Sequence, residues 1–452
     1  MNIKKSLLIC LLLATVGSVK AQNPVLDSYI QEGLKSNLQL KQEQISYEKS
    51  VENLEIARSL FLPQLSANAS YSAAHGGRKI SFPVGDLLNP IYKTLNQANG
   101  TNFPTDIQNV NTQFLPNDFH DTKLRLIQPL FNPEIYFNYK AQKELISVQE
   151  AQRRAYENEL KFNITSSYYQ YLESEEVLTI LKQTRIIIEE LLKINQRLVA
   201  NDKATKDVVL NTEYELDKIE QQLAEADRNN AVAKSYFNFL LNRELSASIE
   251  RDTALTSKLQ NNYNLNELSE TALNQRQELK QVQGGMQASS QLLNLSKTSA
   301  VLPKISVVGD AGYQGYYYKF NNDQRYWLVQ FNLTWDLYKG GEKRARIKQA
   351  RMDYQLAETK IEQLKKQIEL QVIQSYHELE AAQRSFITSQ SGVKSTEKSF
   401  QIIRSKYNEG QAIMLEFLDA ENKLTTARLT QTINTYELLR KEAALQKTIA
   451  NL

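Results

Sequence analysis

The chain has 452 residues but only 15 Gly and 9 Pro, too few breaks for the three α/β domains that a prior of about 150 residues per domain suggests. Gln, Asn, Leu, Lys, Glu and Ala fill long uninterrupted stretches, which points to long helices and an elongated body with a thin core. The balance of 54 Lys and Arg against 51 Asp and Glu gives no basic field for nucleic acid, and setting aside the leader residues Lys4, Lys5 and Lys20 leaves 51 against 51.

Residues 1–21 read as a secretory signal. Lys4 and Lys5 precede an apolar run from Leu7 to Val16, and Val19-Lys20-Ala21 supplies the cleavage site. A run of about 10 apolar residues is too short for a membrane anchor. Cys10 lies in that run behind the bulky Ile9, which argues against lipid attachment and leaves the exported chain without a thiol. His75, His120 and His377 are scattered, so no metal cluster is expected. No other stretch approaches the apolar length of a membrane helix, and any crossing is therefore made by strands.

The periodicity predicts two structural repeats joined by an equatorial linker. The first, residues 22–242, runs helix 24–60, strand 64–75, a long loop, strand 119–131, helix 133–199 and helix 203–242. The linker is 243–263. The second, 264–452, runs helix 264–300, strand 304–318, strand 325–338, helix 341–408 and helix 413–450. Leu62-Pro63-Gln64-Leu65 recurs as Leu302-Pro303-Lys304-Ile305, and Leu130-Phe131-Asn132-Pro133 as Leu337-Tyr338-Lys339-Gly340. Asn201 with Asp207-Val208 is echoed by Gly410 with Glu416-Phe417. The first repeat is longer because of residues 76–118, whose structure the sequence leaves open.

In the last strand Trp327, Val329, Phe331, Leu333, Trp335 and Leu337 alternate with mostly polar residues, as a lipid-facing strand requires. A soluble sandwich strand shows the same alternation; the leader and the four strands of about 11 residues favour the membrane. Four strands cannot close, because the smallest membrane barrels have about 8 and an open edge in lipid leaves backbone groups unpaired. Copies must share one barrel. Three copies give 12 strands and a wide pore. The fold class is thus mainly α with a small membrane β part: a long α-helical barrel, and four strands per chain in a 12-stranded trimeric β-barrel.

Residues 341–408 reach about 100 Å as a helix. Ile347, Tyr354, Ile361 and Ile368, then Val372, Leu379, Phe386, Val393, Phe400 and Tyr407, form a heptad seam with one skip. Gly410 suits a left-handed helix cap, Asn201 occupies the equivalent place, and Asp207 and Glu416 sit where a carboxylate favours the next helix dipole. These turns form a distal tip suited to a partner, although they also serve simply to reverse the chain.

Tyr407-Asn408-Glu409-Gly410 followed by Leu415-Glu416-Phe417-Leu418-Asp419-Ala420 and Leu424 resembles the C-terminal signature of TolC-type outer-membrane efflux proteins, the outer-membrane factors. The paired halves and the Leu-Pro before each first strand fit the same family. The resemblance implies a homotrimer in the outer membrane of a Gram-negative bacterium, in contact with its lipid and projecting largely into the periplasm. It implies a passive exit duct of a tripartite efflux or type I secretion system, docking a periplasmic adaptor (membrane fusion) protein and through it an inner-membrane pump. The docking tip comprises Asn201, Asp202, Asp207, Val208, Tyr407, Gly410, Glu416 and Phe417. Some family members narrow the tunnel with an acidic ring; counting back from Tyr407, the candidate constriction here is Gln401 and Arg404, so an acidic gate is not carried over. An inward Arg404 makes a three-fold basic ring, and a solvated or groove-facing Arg is the alternative.

No catalytic set, cofactor loop or metal site emerges, so an enzyme is not expected. Glu175-Glu176 and Glu189-Glu190 read as solvated faces with Lys and Arg nearby. Lys343, Arg344, Arg346, Lys348 and Arg351 stand just after the last strand, either near lipid headgroups or on an ordinary charged face. Two other functions compete with the duct: a periplasmic coiled-coil adaptor or structural protein of an envelope-spanning complex, and a trimeric adhesin. Both lack duplicated strand pairs. The cargo is open.

Overall fold

The computed structural model describes residues 24–252 and 263–451; the expected leader, with Cys10, lies outside them. Helices α1 (Pro24–Ser36) and α2 (Leu38–Ser59) lead into β1 (Gln64–Ser72), then β2 (Lys79–Phe82), α3 (Val84–Asn99), β3 (Val110–Gln113) and β4 (Phe119–Phe131). Helix α4 (Pro133–Ala200) runs 68 residues and turns into α5 (Asp207–Leu240). The second half has α6 (Leu265–Gln275), α7 (Gln277–Val301), β5 (Lys304–Tyr316), β6 (Arg325–Thr334), the 67-residue α8 (Glu342–Asn408) and α9 (Met414–Thr448). The mainly α class with a small β part is what the sequence predicts; beside the four-stranded sheet the chain holds a second, two-stranded one.

Two helices expected to be continuous are broken, and at matching places. Asn37 separates α1 from α2 because its amide is used twice. Its Oδ1 accepts the Leu40 N–H at 3.0 Å, capping α2, and its Nδ2 donates to the Leu240 carbonyl at 2.9 Å. Arg276, 239 positions later, adopts an extended backbone between α6 and α7 while pairing with Glu278. Neither Pro nor Gly marks these breaks.

The chain forms two compact units. The helical unit gathers the described parts of Met1–Val51, Lys143–Ala288 and Asp353–Leu452. In it Leu160, Ile164, Tyr168 and Leu172 of α4 pack with Leu26 and Tyr29 of α1 and Phe237 of α5. Gly33 lets α1 approach this closely, since a Cβ there would stand 2.3 Å from Ile164 Cδ1. The predicted α8 seam is the buried face: Ile361, Ile368, Val372 and Leu379 meet Leu438 and Leu445 of α9. The described start of the linker is strapped to the first cluster. Tyr168 Oη donates to the Glu250 carbonyl at 3.0 Å and accepts the Asp252 N–H at 2.9 Å, and the Glu250 N–H donates to Tyr29 Oη at 2.7 Å. Burial pushes the Tyr168 hydroxyl up to about 12, so it stays a donor across the accessible pH range.

The strand unit gathers Glu52–Gln142 and Ser289–Met352. Its antiparallel sheet has the order β1-β4-β5-β6, so β1 and β6 are edges with one neighbour each. The open segment 76–118 is structured: β2 pairs with β3, and Asn89 holds Ile107 through its N–H and carbonyl, both at 2.9 Å. Three predicted strands end early. β1 stops at Ser72, and β5 stops at Tyr316, after which Tyr317 and Tyr318 turn with φ of 66° and 46°. β6 stops at Thr334, which leaves Trp335 and Leu337 outside the sheet. The Trp335 indole instead donates to the Val301 carbonyl at 3.1 Å, and Lys343 Nζ reaches the Ala300 carbonyl at 2.8 Å, so both cap the end of α7.

Candidate functional site

Both turns that follow the long helices are built the same way. After α8, the Gly410 N–H bonds the Tyr407 carbonyl at 3.0 Å and the Gln411 N–H bonds the Lys406 carbonyl at 2.8 Å, with Gly410 left-handed at φ 73°. After α4, the Asp202 N–H bonds Val199 at 3.1 Å and the Lys203 N–H bonds Leu198 at 2.9 Å. This is the double bond of a Schellman cap, in each case closed by one left-handed residue. In the first half that residue is Asp202, at φ 54°, and not Asn201. Asn201 sits one position earlier, where its Nδ2 donates to the Arg197 carbonyl at 2.6 Å. The return helices start under carboxylates. Glu416 accepts the Ile413 N–H at 3.2 Å, and Asp207 accepts the Thr205 hydroxyl.

Beneath the turns lies a cluster of Ile188 and Leu191 from α4, Phe400 from α8, and Phe417, Leu418 and Leu424 from α9. Phe417 is 4% exposed and packs at 5.4 Å on the Phe400 ring and at 5.2 Å on Tyr407. It therefore holds the tip together and offers no docking surface, a correction to its predicted role. Its position three residues into α9, beside the exposed Leu415 and Glu416, is what made it look superficial. Tyr407 and Val208 are half-buried. The Tyr407 hydroxyl donates to Asn195 Oδ1, and Asn195 Nδ2 donates to Thr212 Oγ1 at 2.8 Å. Asn195 and Thr212 are both fully buried, so one polar chain ties α8 to α4 and α5. Burial raises the Tyr407 hydroxyl above its ordinary value. The exposed surface consists of Asn201, Asp202, Asp207, Gly410 and Glu416 together with Leu210, Ile413 and Leu415. Sequence reasoning missed these leucine and isoleucine side chains, although each lies within three positions of a charged or turn residue that it did find.

Gln401 is exposed on α8, and Arg404 Nη2 lies 3.2 Å from Glu190 Oε2 on α4. Arg404 is thus ion-paired within the chain, with an acid that the sequence reading assigned to a solvated face and that is itself half exposed. A buried acid follows nearby. Glu421 is 1% exposed, accepts the Thr425 hydroxyl at 2.6 Å, and burial pushes its carboxyl above the usual range.

The sheet has two unlike faces. Cross-strand register places Leu65, Leu126 and Val329 on one face, with Leu124, Trp327, Val307 and Phe331. Trp327 and Phe331 are 78% and 75% exposed there. The other face carries Ser66, Asn68, Asp121, Lys123, Arg125, Asp310 and Tyr326. Arg125 grips Asp310 through Nε and Nη2, both at 2.8 Å, and Tyr326 Oη donates to Asp121 at 2.9 Å. Among the described residues no group of His, Cys, Asp and Glu could hold a metal ion, and no helix is long and apolar enough to cross a membrane.

Residues 268–451 match the family model described as outer membrane efflux protein. Outer membrane protein TolC of Salmonella enteritidis is 23% identical, with the alignment covering 96% of this chain and 85% of that protein. The proteases secretion protein PrtF of Dickeya chrysanthemi is 21% identical over 99% of this chain and 93% of its own length. Among solved structures, the outer-membrane channel OprN superposes with a TM-score of 0.76 at 17% identity, covering 95% of this chain and 90% of OprN. The Campylobacter jejuni outer membrane channel CmeC gives a TM-score of 0.74 at 16% identity, covering 94% of this chain and 85% of CmeC. The matched family is one of outer membrane efflux proteins, and OprN and CmeC are outer-membrane channels.

Proposed function

We propose that this chain, which belongs to the outer membrane efflux protein family and is an exit duct of the outer membrane, works as a homotrimer that docks a periplasmic adaptor at the turns ending α4 and α8. The observation that carries the trimer is the sheet with one exposed apolar face and two unpaired edges, β1 and β6. In lipid each unpaired backbone group costs several kcal/mol, so β6 of one copy must meet β1 of the next. Two copies supply only about 8 strands, whose interior side chains fill, whereas three leave an aqueous lumen. The polar face with its Arg125–Asp310 pair lines that lumen, and the face of Trp327 and Phe331 meets lipid.

The two matching Schellman turns support two structural repeats, 22–242 and 264–452, around the linker 243–263. Docking rests on the exposed carboxylates Asp207 and Glu416 and on the exposed Leu210, Ile413 and Leu415 at the starts of the two return helices, which supply both a charge signal and apolar area. The outer-membrane location sets aside the soluble adaptor reading. The family description points to efflux and the name of PrtF to protein secretion, and the cargo class stays open between them. The test is charge reversal, Asp207→Lys with Glu416→Lys, followed by adaptor pull-down and by sizing in detergent. Weakened capture of the adaptor by an intact trimer is the expected result; unchanged capture defeats the docking proposal.

A further inference from the structure

A cavity of about 300 Å³ opens at the end of the sheet where α4 begins. Phe61, Leu130, Phe131, Ile135, Tyr136 and Leu302 line it. The register of β4 against β5 shifts between Pro129 and Phe131, and this bulge brings the consecutive side chains Leu130 and Phe131 into one wall, which a regular strand forbids. Five of these side chains, Phe61, Leu130, Phe131, Tyr136 and Leu302, remain between 39% and 57% exposed, an apolar surface that water-facing proteins keep small. The exposed apolar face of the sheet ends at the same place with Leu333 at 63% exposed, and Trp335, just beyond β6, is 53% exposed.

A cation stands over one of the lining rings. Lys140 stands one helical turn after Tyr136, and long helical side chains lean back toward the helix start. Its Nζ accordingly lies 4.5 Å from the centroid of the Tyr136 ring. Glu134 is taken by Lys304 at 2.7 Å, and neither Glu144, one turn further along α4, nor any other carboxylate among the described residues pairs with Lys140. Of the Asn132 amide, the oxygen is committed, accepting the Glu134 N–H at 3.0 Å. A peptide entering the cavity would bring N–H and C=O groups that find almost no partners, whereas a hydrocarbon chain brings none.

We propose that this cavity holds an acyl chain of an anionic phospholipid whose phosphate meets Lys140. A net-neutral headgroup carries its own cation and gains less from a lone ammonium, so the site prefers anionic over zwitterionic lipid. The bulge at Leu130 supplies the wall, and Lys140 sets the headgroup.

The experiment uses the whole assembly in detergent, titrated with phosphatidylglycerol and phosphatidylcholine, with bound lipid counted by native mass spectrometry. Wild type retains phosphatidylglycerol preferentially. Thr298→Trp, which fills the cavity, lowers binding of both lipids about tenfold, and Lys140→Gln removes most of the preference while binding persists. Equal binding of the two lipids by wild type, or full binding by an assembled Thr298→Trp, overturns the proposal. Where Thr298→Trp fails to assemble, Lys140→Gln decides alone: an unchanged preference overturns it.

Discussion

In the sheet, Trp327 and Phe331 stand 78% and 75% exposed while Asp310 is 5% exposed; at the helical tip Phe417 and Leu424 are buried and Asp202, Asp207 and Glu416 are outside. Both regions obey one rule, that apolar surface leaves water, and they differ in what surrounds them. The tip satisfies the rule within one chain through Ile188, Phe400 and Phe417. The sheet satisfies it only with lipid outside and other copies at its edges.

The comparison breaks most visibly on a charge placed on each apolar surface. Phe331→Lys is expected to cost about 2–4 kcal/mol in the bilayer and to abolish membrane incorporation, whereas Ile402→Lys on the exposed face of α8 stays within about 0.5 kcal/mol. Extraction of each variant from membranes by detergent and by alkaline wash separates them. Next in size, Phe417→Ala is expected to lose about 3 kcal/mol of helical-unit stability in urea, while leaving the sheet inserted. A neutral outcome there means that Phe417 is a surface residue after all.

Glu421 sharpens the comparison from the other side, as a carboxylate the tip buries without a basic partner in contact. Its folded form holds the proton more tightly than the unfolded chain does, so the tip loses stability as pH rises from the usual carboxylate range through its raised value. Thr184 and Thr425 hydroxyls, Glu215 and Arg428 are the polar groups acting on it. Glu421→Gln is expected to match wild type near pH 4 and to melt a few degrees higher near pH 8. A wild-type Tm advantage at pH 8 contradicts the reading. The smallest pair concerns the two caps: Gly410→Ala destabilises and Asp202→Gly stabilises, each by about 1 kcal/mol, because both positions are left-handed. Urea midpoints of the same sign for the two variants refute the matched geometry.

Most of the architecture was legible because it rests on long periods. The α8 seam from Ile361 to Phe400 and the alternation from Trp327 to Leu333 repeat often enough to survive local noise. What escaped depends on single side chains acting across the fold. Asn37 breaks a helix by bonding Leu240, and Asn195 ties Tyr407 to Thr212. Trp335 leaves its strand for a helix end, and Arg404 pairs with Glu190 more than two hundred positions away. The Gly410 cap was readable from composition alone, but Asn201 and Asp202 are adjacent residues that both tolerate a left-handed turn, so sequence could not choose between them.

The most direct test is to purify the protein from outer membranes, weigh the detergent-free mass of the complex, and record currents after adding it to a planar bilayer. The account requires three chains per particle and stable open-channel conductance. A single-chain, detergent-independent particle that carries no current contradicts it.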